Sequence, residues 1–188
     1  MSQLNLFGPL DKIVVFDLET QRGFQDVGGR GNLKDLGVSI GVLYDYNSDR
    51  YLTYTHDTIG ELVDELLSAT RVIGFNIRGF DYPVLTGYRP EVNYSRLPTL
   101  DLLDRIRRVL GFRISLDNVA SATLGRGKTA SGLDALRWYR EGRLDLIETY
   151  CRDDVAVTRQ VYEHGRDHGC LKFRDRDGGV REFRIKWD

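Results

Sequence analysis

The run Lys12-Ile13-Val14-Val15-Phe16-Asp17-Leu18-Glu19-Thr20 constrains the fold of this chain more than any other stretch. It is a short apolar run, rich in β-branched residues, that closes on two carboxylates. Side chains alternate across a strand, so Asp17 and Glu19 share one face while Val14, Phe16 and Leu18 take the other. Two carboxylates side by side repel, and a hard divalent cation of the magnesium or manganese kind neutralises such a pair through oxygen ligands. Taken alone, the pair also fits a strand that simply runs into a polar loop. Carboxylates elsewhere in the chain must decide between the two.

Much of the chain reads as one α/β unit. Gly37–Tyr44 and Arg50–Tyr54 are further strands, joined by the polar turn 45–49 into an antiparallel meander with the first. Ile59, Leu62, Val63, Leu66 and Leu67 recur at helical spacing behind Thr58, and lead to a strand over Arg71–Phe75. Pro83 stands early in the next helix, preceded by Asp81, which suits an ordinary helix cap as well as a functional carboxylate. A brief strand at Leu97–Leu100 and a helix to Leu110 come next, then helices at Leu116–Leu124, Leu133–Arg140 and Leu144–Gly165. The stretch from Cys170 to Trp187 alternates apolar and charged residues around Asp177-Gly178-Gly179, the pattern of a hairpin. Residues 1–169 are therefore expected to form one domain, with 170–188 a hairpin extension packed on it.

Between Gln21 and Asp35, glycines 23, 28, 29 and 31 sit among polar residues, which reads as a long mobile loop leaving the acidic pair, with Phe24 and Arg30 as possible contacts. Arg105, Arg107, Arg108 and Arg113 form the densest basic cluster; they suit either a solvated helix face or a phosphodiester backbone. Gly125-Arg126-Gly127-Lys128-Thr129 satisfies a permissive phosphate-loop pattern but follows a helix, where a phosphate loop follows a strand. His164 and His168 have helical metal-ligand spacing without a nearby third ligand.

The net charge of -1 offers no global attraction for nucleic acid, so such binding must use a local basic surface. Cys151 and Cys170 make neither a disulfide framework nor a zinc site, which suits a reducing setting. The first residues lack a basic region followed by a long apolar run, and no segment approaches a membrane-spanning length. A soluble, cytoplasmic protein without membrane contact is expected.

The late helix decides between the readings of the acidic pair. In Ile147-Glu148-Thr149-Tyr150-Cys151-Arg152-Asp153-Asp154-Val155, Tyr150 and Asp154 stand four apart at the edge of the apolar face. A phenol and a carboxylate thus point together toward the core, and a carboxylate there requires a partner.

Asp17-x-Glu19, then Asn76 to Asp81, then Tyr150-x-x-x-Asp154 together resemble the DEDDy branch of the 3'-5' exonucleases, the family of DNA polymerase proofreading domains. The likeness spans about residues 13–164 and includes Leu100-Asp101-Leu102-Leu103 and Ser115–Ala120. Thr149 stands where the sibling branch carries a histidine. The family has a ribonuclease-H-like fold, a mixed five-stranded sheet flanked by helices. The resemblance implies two divalent metal ions, Mg2+ or Mn2+: Asp17 bridging both, Glu19 and Asp154 completing the ion that holds the attacking water, Asp81 supporting the other. Tyr150 would orient that water, since a phenol of pKa near 10 is a poor base. Thr20, Asn76, Phe80, Arg105 and Arg108 are the expected substrate contacts, with Phe24 and Tyr82 as further aromatic platforms. The substrate implied is DNA or RNA with a free 3' end, a single strand above all, with a helicase or polymerase as a partner in trans. A non-catalytic nucleic-acid- or partner-binding module of the same fold is the alternative reading.

Overall fold

The computed structural model describes residues 11–126 and 131–187. Gly127, Lys128 and Thr129 of the phosphate-loop-like stretch lie outside the described residues, as do the first ten residues. Gly125 itself terminates a helix with φ 69°, so a helix end and not a strand precedes the stretch.

The expected mixed five-stranded sheet is present, in the order β3-β2-β1-β4-β5. β1 (Ile13–Thr20) is central. It pairs antiparallel with β2 (Val38–Asp45), which pairs antiparallel with β3 (Arg50–Thr55). On its other side β1 runs parallel to β4 (Arg71–Gly74), and β4 parallel to β5 (Thr99–Asp101). Each parallel step is made by a crossover through a helix: α1 (Ile59–Ser68) before β4 and α2 (Asp81–Leu85) before β5.

Alternation along β1 divides the interior in two. Val14, Phe16 and Leu18 pack with Ile59, Leu62, Val63 and Leu66 of α1. Val15 faces the other layer, made by α3 (Leu102–Leu110), α4 (Leu116–Leu124) and α6 (Leu144–His168). Asp17 and Glu19 continue the Val15 side of the strand. α6 lies on that side, with Ile147, Tyr150, Cys151, Asp154 and Val155 buried along it. Two simple periodicities, two along the strand and 3.6 along the helix, therefore bring the acidic motifs together. Among the described residues no helix is long and apolar enough to cross a membrane.

The segment after β1 is not the irregular mobile loop its glycines suggest. It forms two 3-10 turns, Phe24–Val27 and Arg30–Asp35. Gly28 and Gly29 supply the reversal between them with φ 77° and 108°, values that a β-carbon disfavours. Gln21 and Arg22 donate to the carbonyls of Gly37 and Leu36, so the segment leaves and rejoins the sheet as a hydrogen-bonded flap. α6 also runs past its expected end. Gly165 does not stop it; its bare Cα admits the Trp187 ring, which a β-carbon there would meet at 2.6 Å. The helix ends instead at Gly169, φ 67°.

The C-terminal hairpin is present as β6 (Cys170–Arg174) and β7 (Val180–Arg184). Leu171, Ile185 and Trp187 sink into the α3–α4–α6 core. Two side chains of α4 bind the free backbone of β6 as a strand would: Asn118 donates to the Arg174 carbonyl and accepts its N–H, and Thr123 does the same with Lys172.

Candidate active site

At the C-terminal end of β1 a cavity of about 690 Å³ opens between the flap, residues 75–81, α5 (Gly132–Arg140) and α6. Asp17, Glu19, Asp81, Tyr150 and Asp154 all line it, and so do Thr20, Asn76 and Phe80. Carboxylate oxygens of Asp17, Glu19 and Asp154 lie within 4.8 Å of one another. Among the described residues this is the only such group of three or more acidic, histidine or cysteine side chains. A β-bulge falls between Glu19 and Thr20, where Ser39 is skipped in the pairing with β2. Such a bulge bends the strand at the point where its side chains turn into the cavity.

The donor set is hard oxygen throughout, which fits Mg2+ or Mn2+ and not a thiolate-seeking metal. Cys151 stands close, with its thiol donating to the Asp17 carbonyl at 3.4 Å. Burial, and then the charges of Asp17, Glu19, Asp154 and Asp81, push this thiol well above its ordinary range, so it stays protonated. His164 and His168 lie against each other with tilted rings, centroids 4.3 Å apart, and do not line the cavity.

Asp81 does not cap its helix. Phe80 occupies the cap position and Asp81 is the first helical residue. Its carboxylate instead accepts the Leu18 N–H at 3.1 Å, bridging α2 to β1. Burial raises its pKa, helped by the charge of Asp101 and opposed by the backbone N–H bonds, up to about 7. The residue that does cap a helix is Asp101, and it does more. It accepts from Leu103 and Asp104 at the start of α3, and from the amides of Asn76 and Arg78 at 2.9 and 3.0 Å. It thereby holds Asn76 in a left-handed conformation, φ 68°, beside the carboxylates. Such a conformation is uncommon outside glycine but is tolerated by asparagine. The Asn76 side-chain oxygen accepts from Arg113 at 2.8 Å.

Arg105 and Arg108 are not brought to this cavity. They line another, of about 640 Å³, with Arg71 and Arg78 at the β5 edge, and Arg105 donates to the Trp187 carbonyl at 3.3 Å. Of that basic cluster it is Arg113 that comes to the acidic centre, lining an adjoining hollow with Asp17 and Asp154. Tyr82 is no platform: it is buried and stacked between Phe16 and Tyr94. Phe24 and Phe80 do line the cavity, edge to face with centroids 6.1 Å apart, and Arg30 covers the Phe24 ring at 4.3 Å. Motif spacing does not single out Arg22, Leu133, Leu136 or Arg140, which complete the walls. Leu133 is 79% exposed, an apolar side chain at the rim that only its place in the fold reveals.

A sequence model of the RNase_H superfamily matches residues 14–165. The chain belongs to the RNase H superfamily. Every residue that lines the acidic cavity falls inside the matched span, and the C-terminal hairpin falls beyond it. Among solved structures, this RNase H superfamily member is similar to the family B DNA polymerase from the hyperthermophilic archaeon Pyrobaculum calidifontis, with a TM-score of 0.63 at 19% identity. The alignment covers 85% of the chain but 25% of the polymerase, so the two share a fold over a quarter of the larger protein. No curated protein gives a significant sequence match.

Proposed function

We propose that this RNase H superfamily member is a metal-dependent 3'-5' exonuclease of the DEDDy kind, hydrolysing DNA or RNA from a free 3' end to nucleoside 5'-monophosphates. The observation that carries this reading is that four acidic residues and one tyrosine, scattered from position 17 to position 154, line one cavity. Its likeness to part of a DNA polymerase adds support, since proofreading domains belong to the family that the motifs resemble.

Asp17, Glu19 and Asp154 would hold divalent ions directly, and Asp81 would support them from its buried position. When bound, two such ions supply charge for the attacking and departing oxygens of an in-line displacement and make water more acidic. The chain contributes placement. Tyr150 lines the cavity, 4% exposed, and packs edge-on against Trp138 with centroids 6.3 Å apart, so a rigid helix fixes its ring and its hydroxyl would orient the attacking water. Phe24 and Phe80 offer ring edges and faces to the terminal base, and Leu133 at the rim separates it from its neighbour. Asn76, locked by Asp101 and Arg113, presents a polar edge to the terminal nucleotide.

The test is digestion of 5'-labelled single-stranded DNA and RNA with manganese, magnesium or chelator. A ladder that shortens from the 3' end only with metal, and not in Asp17→Ala, is the expected result; full activity in Asp17→Ala would overturn the reading.

A further inference from the structure

The acidic cavity does not end at the carboxylates. Asp17, Asn76 and Asp154 also line an adjoining hollow whose far wall is Arg113, Ile114 and Ser115. Those three far-wall residues begin a third hollow, of about 860 Å³, that runs onto the C-terminal hairpin. Shared walls thus make one groove leading from the acidic centre across the hairpin.

Along it the charge changes sign. Arg113, Arg174, Arg176 and Arg181 line the hairpin end, against Asp175 and Asp177. Asp175 is already committed, accepting from Arg181 at 2.6 Å and from the amides of Asp177 and Gly179 in the turn. Arg174 and Arg176 are exposed and enter no ion pair with any described residue. Phe112, 48% exposed, lines the same hollow, seated edge-on against Phe173 at 5.8 Å, which in turn packs on Phe183. One exposed phenylalanine is ordinary. An exposed ring that shares a hollow with guanidinium groups, in a groove that empties into an acidic centre, matches an unpaired nucleic-acid strand, whose bases stack while its phosphates pair.

The hairpin is also held still. Asn118 and Thr123 of α4 clamp its backbone at Arg174 and Lys172, so the arginines keep their distance from the carboxylates. The hairpin lies beyond the span that the superfamily model matches, while the opposite wall of the groove, residues 112–118, lies within it. We propose that this groove holds the single-stranded segment upstream of the 3' end, with Phe112 as stacking platform and Arg174 and Arg176 as phosphate contacts. The inference rests on the exonuclease reading for its direction and on the groove itself for its ligand.

Binding of 5'-fluorescent oligothymidylate and oligouridylate to the full chain in chelator tests it without turnover. Phe112→Ala is expected to weaken binding by about tenfold. Arg176→Glu, at an exposed turn position that leaves the fold intact, is expected to weaken it similarly and to lower the salt dependence by about 0.7 for each phosphate the variant no longer neutralises. With manganese, KM for a long strand should rise by the same factor while dinucleotide cleavage stays unchanged. Wild-type affinity in the folded variants, or an equal loss on the dinucleotide, overturns the proposal. A wild-type chain that binds strands through these residues but cleaves none upholds the groove and overturns the exonuclease. Cleavage with an unaltered KM in both variants does the reverse.

Discussion

Asp81 is a carboxylate whose ionisation the folded chain resists. Its folded pKa of about 7 stands above the ordinary 3.8, so without metal the folded state holds a proton that the unfolded state releases. That contribution to stability is fully present below pH 3.8 and is lost as pH rises through about 7. Asp81→Asn keeps an oxygen for the Leu18 N–H and removes the charge. In chelator it should raise Tm at pH 8 by about 2–4 °C for each kcal/mol recovered, and the gain should shrink toward pH 5. Thermal melts at the two pH values check this, and a lower Tm for Asp81→Asn at pH 8 would contradict it. Metal affinity should run the other way, rising with pH through the same region because a ligand carboxylate must be ionised. At Tyr150 the expectation is graded: Tyr150→Phe keeps the packing on Trp138 and removes the hydroxyl, lowering kcat by about 100-fold with metal still bound. Asp154→Ala removes a proposed metal ligand and should leave no turnover. Equal losses in the two variants, measured with metal binding followed in parallel, would show that Tyr150 does more than orient water.

Elements with a clean period were legible in the sequence. β1 and α6 each show a regular period, which sets Asp17 and Glu19 on one face of the strand and Tyr150 and Asp154 along one edge of the helix, so the sheet and the meeting of these four residues in one cavity can be read from the residues. The features that stayed hidden depend on contacts distant in sequence. Asp81 looks like a helix cap because local spacing cannot reveal that Leu18, 63 positions earlier, supplies its partner. The flap reads as a mobile loop because its order comes from Leu36, Gly37 and Val38, which tie it back to the sheet. Arg105 and Arg108 share a helix with the residues that shape the site, but their turn of α3 faces the β5 edge. Asp101 is the joint on which the site's elements meet, since it ties the 76–78 segment to α3. Asp101→Ala leaves buried amides unmatched and should destabilise by about 2–4 kcal/mol, well beyond Asp101→Asn. Denaturant melts of the two variants test this; a loss no larger than that of a simple cap would show that the 76–78 hydrogen bonds are dispensable.

Across the molecule, a nearly neutral chain separates its charges. Carboxylates gather at the end of the central strand, while arginines that pair with no described carboxylate line the adjoining groove and the β5 edge. The acidic centre sits where β1, the flap and α6 meet, on the fold common to the superfamily, and the hairpin extends it. The decisive experiment is the fate of a single strand that carries its label only in the 3'-terminal nucleotide, run beside a covalently closed circle of the same sequence. With manganese, the chain should release labelled nucleoside 5'-monophosphate from the linear strand and leave the circle intact, and neither chelated protein nor Asp154→Ala should release any label. Nicking of the circle, or release of label that survives Asp154→Ala, would contradict the account.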